Sequence, residues 1–208
     1  LMGALQVYAY EPDKSTFEML TKNIRNNNIC NVKINNYAIT DKTGTIKLYS
    51  SKNNGGSSIY KTDNSASLNF VNSLRLADIF RINNLDKIDF LKVDCEGGEG
   101  LIINSTNKQV LSHINKISLE YHNNVSILTS MQIIKILKEN GFIEQTRAKG
   151  RELVASMLSL AASGSCDEAS HNAKNCVLAL LCNARIQGSV SLRFLRSAAW
   201  SLPVTLSG

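Results

Sequence analysis

The sequence has little of what would mark it as secreted, membrane-spanning or built around structural metal. Its five cysteines, Cys30, Cys95, Cys166, Cys176 and Cys182, form no C-x-x-C pair. Their odd number and irregular spacing argue against a disulfide framework and against a zinc site, and no metal ligand set is expected. No apolar run approaches the roughly 18 residues of a membrane span. The opening Leu1-Met2-Gly3-Ala4-Leu5 lacks the charged flank of a signal peptide, so a cytoplasmic protein is expected. Proline occurs only as Pro12 and Pro203, and tryptophan only once.

Basic clustering is also missing. The net charge of +6 suggests nucleic acid, but residues 1–146 hold 16 Lys+Arg against 14 Asp+Glu. Those cations are scattered, with no basic stripe and no interleaved aromatics, so no nucleic-acid partner is expected. At 208 residues the chain has length for one ordinary domain with a real core.

Composition breaks near Arg147. Residues 1–146 contain 20 Asn, 18 Ile and 5 Ala, whereas residues 147–208 contain 3 Asn, 1 Ile and 10 Ala. The chain therefore divides into a domain over 1–146 and an unassigned tail over 147–208. A tail this different reads as a junction with non-native or disordered sequence, or else as a helical extension. Leu153–Ala162 and Cys176–Ala184 have helical periodicity, and the tail is expected to pack poorly on the domain.

The first part alternates strands and helices. Val7–Tyr10 is a short apolar strand; after it, Phe17, Leu20 and Ile24 recur at helical spacing, with Asp13 or Ser15 placed to cap. Val32–Ile34 and Thr45–Tyr49 are further strands, the latter opening a small hairpin-like insertion that reaches Tyr60. Ile88–Val93 is a near-continuous apolar strand of the kind buried in a parallel sheet, and Ile117–Tyr121 is another. Thr129 and Gln132 make a capping box ahead of Ile133, Ile134 and Leu137, with a stop at Gly141. The pattern predicts an α/β fold: a Rossmann-like, doubly wound, mostly parallel sheet flanked by helices.

Ligands of such sheets bind off the carboxyl ends of the strands, which singles out four places. Glu11 follows the first strand, where a carboxylate accepts both hydroxyls of a ribose; it fits a nicotinamide cofactor or S-adenosylmethionine, and equally a solvated acid at a helix start. Asn36, Tyr37 and Ala38 close the next strand and are placed to meet an adenine, or to form an Asn-rich turn. Asp94, Glu96 and Glu99 with Gly97-Gly98 follow the buried strand. Clustered carboxylates there repel unless a cation or a proton is shared, as a sulfonium cofactor or a substrate proton would provide; the alternative is a polar turn with Glu96 or Glu99 as a first-turn acid. His122 ends the Ile117 strand, as a general base or as a structural histidine.

These places, in this order, resemble the FkbM methyltransferase family. The matching stretches are Val7–Pro12, Asn36–Asp41, Gly55–Ile59, Leu76–Phe80, Ile88–Glu99 and Ile117–His122, which span nearly all of residues 6–146. The resemblance implies O-methylation with S-adenosylmethionine as cofactor and a polyketide or other small-molecule, sugar or lipid hydroxyl as acceptor. It also implies a class I methyltransferase sheet. On it, Glu11, Asn36, Tyr37, Ala38 and Asp94 would bind cofactor, and Asp94, Glu96 and His122 would serve catalysis. The family opens with a strand and a glycine-rich loop; only Gly3 precedes Val7 here, so the domain is expected to be incomplete at its N-terminus. An inactive or binding-only fragment is one alternative. An NAD-dependent oxidoreductase is the other, and it would need a G-x-G-x-x-G motif before Glu11.

Overall fold

The computed structural model describes residues 4–51, 56–63, 65–122, 125–147, 152–157 and 176–181. In chain order the elements are β1 (Gln6–Tyr10), α1 (Lys14–Asn26), β2 (Val32–Asn35), β3 (Ala38–Thr40), β4 (Gly44–Ser51), β5 (Ser57–Ser58) and β6 (Ser65–Arg75). There follow α2 (Leu76–Asn83), β7 (Phe90–Asp94), α3 (Glu99–Ser105), α4 (Lys108–Leu111), β8 (Lys116–Glu120), α5 (Ser130–Glu139), β9 (Phe142–Arg147), β10 (Glu152–Met157) and β11 (Cys176–Leu181). None of the described helices is long and apolar enough to cross a membrane.

The fold is mixed α/β, as expected. Its main sheet has the order β2-β1-β11-β7-β8-β10-β9. Neighbours from β2 through β8 pair in parallel, while β10 is antiparallel to both β8 and β9. A second sheet, β3-β6-β4-β5, contains the β4–β5 hairpin and joins it to the long antiparallel partner β6.

Local chemistry explains the helix ends. Asp13 caps α1 by accepting the Thr16 N–H at 2.9 Å, which satisfies a donor that has no intrahelical partner. Thr129 and Gln132 form the capping box of α5, and Gly141 takes a φ of 92° just beyond it, a conformation that favours glycine. Asp78 in the first turn of α2 accepts the backbone N–H of Arg75 and bonds to Thr43 and the Arg75 guanidinium. Those hydrogen bonds and the guanidinium charge hold its carboxyl well below the ordinary range, against the opposing effect of burial.

Alternation along β1 divides the packing. Ala9 meets Leu20 and Ile24 of α1 on one face, while Tyr10 joins the main core with Ile79, Leu91, Val93, Ile102, Ile117, Leu119 and Ile133. Each fully buried aliphatic side chain there contributes about 1.5–3 kcal/mol relative to exposure.

The structure differs from the sequence reading in the tail. Glu152–Met157 and Cys176–Leu181 are strands of the main sheet rather than helices. Short apolar runs fit either period, and here neighbouring strands supply the backbone partners that decide between them. β11 is held on both sides: Tyr8 pairs with Leu178 and Leu178 with Leu91. The Cys176 N–H also donates to Asp89 Oδ2 at 2.7 Å. Cys176 and Leu178 are buried in the main core. Residues 158–162 and 182–184 of the two expected helical segments lie outside the described residues, as do Gly55 of the expected family stretch and Gly3.

Candidate active site at the carboxyl edge of the sheet

Parallel pairing brings the ends of β1, β11, β7 and β8 to one edge. Tyr10 is level with Leu180, Leu180 with Val93, and Leu181 with Asp94. Glu11 and Asp94 therefore stand in one row with β11 between them, about 10 Å apart at the backbone. On the other side, Val93 pairs with Leu119, so the next position sets Asp94 beside Glu120. His122 lies two residues further along.

Four carboxylates and the imidazole converge there. One ligand-capable atom each from Asp94, Glu120 and His122 lie within 4.8 Å of one another. His122 Nε2 is 3.4 Å from Glu96 Oε2, and Nδ1 is 2.9 Å from Glu99 Oε1. Because an ionised carboxylate only accepts, Nδ1 carries the proton in that contact. Glu99 is fully buried and its carboxylate also accepts the N–H of Cys95 at 3.0 Å and of Gly97 at 3.0 Å. It is a fixed support for the ring, built from the first residue of α3.

The charges act strongly on one another. Burial is the main cause that raises the Asp94 carboxyl to about 7, joined by repulsion from Glu120 and Glu96 and opposed by Lys92 and His122. Burial by itself would lower the His122 value. The hydrogen bond and charge of Glu99, with Glu96 and Asp94, outweigh it and raise the value.

The turn between β7 and α3 aims the acids. Glu96 has a φ of 42°, a left-handed conformation that costs a non-glycine residue about 1–2 kcal/mol. Ser58 Oγ donates to the Glu96 carbonyl at 2.7 Å and helps hold it there. Gly97 has a φ of 102°, and a Cβ on it would stand 2.8 Å from Val125 Cγ2 and 3.3 Å from Tyr60 Cδ2. The Ser58–Tyr60 segment thus packs over the acidic turn, which gives Ser58 and Ile59 of the family stretch a physical role.

Glu11 is fully buried at the end of β1, and its Oε1 accepts the Asp13 N–H at 2.8 Å. Asn36 does not point its amide into open space: Nδ2 donates to the carbonyls of Glu11 at 2.8 Å and Pro12 at 3.0 Å. It braces the loop that carries Glu11. Tyr37 is 37% exposed, whereas Ala38 is buried as the first residue of β3. The structure thus gathers Asp94, Glu96 and His122 into one cluster, and Glu11 with Asn36 into another across β11. Sequence reasoning assigned no role to Glu120, and placed Glu99 among the clustered acids or as a first-turn acid, which it is in α3, without its contact to the His122 ring. The signal for Glu120 was its i, i+2 spacing from His122 at a strand end, which puts both on one face. A separate cleft of about 380 Å³ lies between the second sheet and α3, lined by Thr40, Lys42, Ile46, Ile59, Phe70 and Leu101 among others; none of the clustered acids lines it.

An α/β sheet with acids gathered at its carboxyl edge is the site plan of a ligand-binding enzyme domain. Residues 2–144 match the family model described as the Methyltransferase FkbM domain, and the chain belongs to that family. It is a methyltransferase, and the oxidoreductase alternative for Glu11 falls with that membership. No curated protein and no solved structure matches the chain.

Proposed function

We propose that the protein transfers a methyl group from S-adenosylmethionine to a hydroxyl of a small molecule, sugar or lipid. The observation that carries this reading is the row formed by fully buried Glu11 and half-buried Asp94 at the carboxyl ends of β1 and β7, separated by one strand. In the doubly wound order 3-2-1-4-5, the first strand lies between the second and the fourth. With β1, β2, β7 and β8 as the second to fifth strands, β11 takes that central place. The arrangement supports a Rossmann-like, mostly parallel sheet of the class I methyltransferase type.

The residues at the edge fit the nucleoside half of such a cofactor. When bound, it supplies an electrophilic methyl group on a sulfonium sulfur. Glu11, oriented by the Asp13 N–H, accepts the ribose hydroxyls; Asn36 keeps its loop in place, and Tyr37 and Ala38 border the adenine. Asp94 lies on the side of β11 toward Glu120 and His122, where cofactor and acceptor meet. Glu96 or His122 Nε2 takes the proton of the acceptor hydroxyl. Glu99 fixes the His122 ring with Nε2 turned to the acids.

Calorimetry with S-adenosylhomocysteine tests the assignment. Glu11→Gln keeps an oxygen for the Asp13 N–H but loses the charge, and Glu11→Ala loses both. Removal of a charge-assisted, two-hydroxyl contact costs about 1.5–3 kcal/mol, or roughly ten- to hundredfold in affinity. Unchanged affinity in both folded variants would remove Glu11 from the ribose.

A further inference from the structure

We infer that Asp94, Glu120 and the Nε2 of His122 form a binding site for one divalent cation, with Glu96 at its margin. This goes beyond the methyl-transfer reading, because cation binding is measurable without cofactor or acceptor. It also departs from the expectation, drawn from the cysteines, that the chain has no metal site.

Two independent features carry it. The first is the donor set: two carboxylates and an imidazole from adjacent strand ends, with ligand-capable atoms within 4.8 Å of one another. Metal–oxygen and metal–nitrogen bonds of about 2.0–2.2 Å put bound ligands roughly 3–4.3 Å apart. The groups are therefore within a small side-chain rotation of coordination distance. The second is the support behind the histidine. Metal-bound imidazoles characteristically donate their other N–H to a carboxylate, which fixes ring and tautomer. Glu99, fully buried and anchored by two backbone N–H groups, does this to Nδ1. It leaves His122, itself only 5% exposed, presenting Nε2 toward the acids.

Charge count agrees. Asp94, Glu96, Glu99 and Glu120 surround one imidazole, and the buried cation among them is Lys92. A divalent ion offsets the excess negative charge that burial makes costly. Carboxylates suit Mg²⁺, Ca²⁺ and Mn²⁺ and imidazole suits Zn²⁺, Fe²⁺ and Ni²⁺, so a mixed set favours a first-row divalent metal, for which paramagnetic Mn²⁺ is the probe. An ion here would sit where the acceptor hydroxyl is proposed to lie and would draw in its oxygen. Nε2 would then be a ligand, and the hydroxyl proton would pass to Glu96.

Titration of the whole chain with MnCl₂, followed by calorimetry and electron paramagnetic resonance, tests this. The expected result is saturable binding of one Mn²⁺ per chain, reversed by EDTA, with nitrogen-14 coupling from a directly bound imidazole in the wild-type protein. Asp94→Asn and Glu120→Gln should each weaken binding at least tenfold, and Glu99→Gln roughly ten- to hundredfold. Glu139→Gln on the exposed face of α5 should bind as wild type. Glu11→Ala should also leave Mn²⁺ binding intact, which separates failure of this site from failure of the cofactor assignment. No saturable Mn²⁺ binding, binding without nitrogen coupling, or equal binding by folded Asp94→Asn and Glu120→Gln would each overturn the site.

Discussion

Replacing Glu99 by glutamine is the sharpest test of how the site is held. The carboxylate meets three donors: the Cys95 N–H at 3.0 Å, the Gly97 N–H at 3.0 Å and His122 Nδ1 at 2.9 Å. Glutamine has one oxygen for this work. If that oxygen takes the Oε1 place, it keeps Cys95, His122 and the longer 3.2 Å contact with Gly97, but the new amide group faces the Gly97 N–H, donor against donor. If it takes the Oε2 place, the amide faces both Cys95 and His122. Either way the bonds lose the carboxylate charge, and a buried amide donor faces a donor where an acceptor stood. Hydrogen bonds to charged groups are worth about 1.5–3 kcal/mol, and an unsatisfied buried donor costs about 1–3 kcal/mol. Relaxation recovers part of that, so Glu99→Gln should destabilise the fold by about 2–4 kcal/mol. At roughly 2–4 °C per kcal/mol for a chain of this size, Tm should fall by roughly 5–15 °C. Burial of the His122 ring remains while the charge that raised its titration is gone, so its NMR titration midpoint should move down. A Tm within a degree of wild type, together with an unmoved His122 midpoint, would refute the support assigned to Glu99.

Three further outcomes are expected. Both Asp94 and His122 are raised above their ordinary values, so the folded state holds more protons than the unfolded one; the stability due to Asp94 should fall as pH rises from about 4 through about 7, and that due to His122 as pH rises above 6.5. Asp94→Asn removes one of these groups and should flatten that fall, as read from urea midpoints at pH 5 and pH 8; an equal fall in both proteins would contradict the burial of Asp94. Leu178→Ala removes a fully buried side chain from β11 and should cost about 2–5 kcal/mol, whereas a wild-type urea midpoint would show that β11 is not part of the sheet. Gly100→Ala would put a Cβ 2.7 Å from Ser126 Oγ and 2.9 Å from Leu128 Cβ, and 3.2 Å from the Leu128 backbone nitrogen. Overpacking of about 1–3 kcal/mol should outweigh a gain in helix propensity of at most about 1 kcal/mol, and a raised Tm would show that the segment yields.

Local chemistry was legible in the sequence, because its partners lie within a few residues. The Asp13 cap, the Thr129–Gln132 box, the stop at Gly141 and the apolar strands β1, β7 and β8 all form where the pattern puts them. So does the succession of acids after β7, and with it the resemblance that the family match bears out. Which strand stands beside which was not legible. Cys176–Leu181 is 166 residues or more from β1 in the chain, yet it pairs with β1 on one side and β7 on the other. A short apolar run carries no mark of its neighbours, since backbone hydrogen bonding is the same for every sequence. The site divides in the same way. Asp94, Glu96 and His122 could be named from their strand ends. That Glu99 turns under the imidazole, that Glu120 faces Asp94, and that Asn36 braces Glu11 are consequences of parallel register and of the turn at Glu96 and Gly97. Sequence supplied the charges; only long-range pairing set them within a few ångströms, where burial and mutual repulsion give them their chemistry.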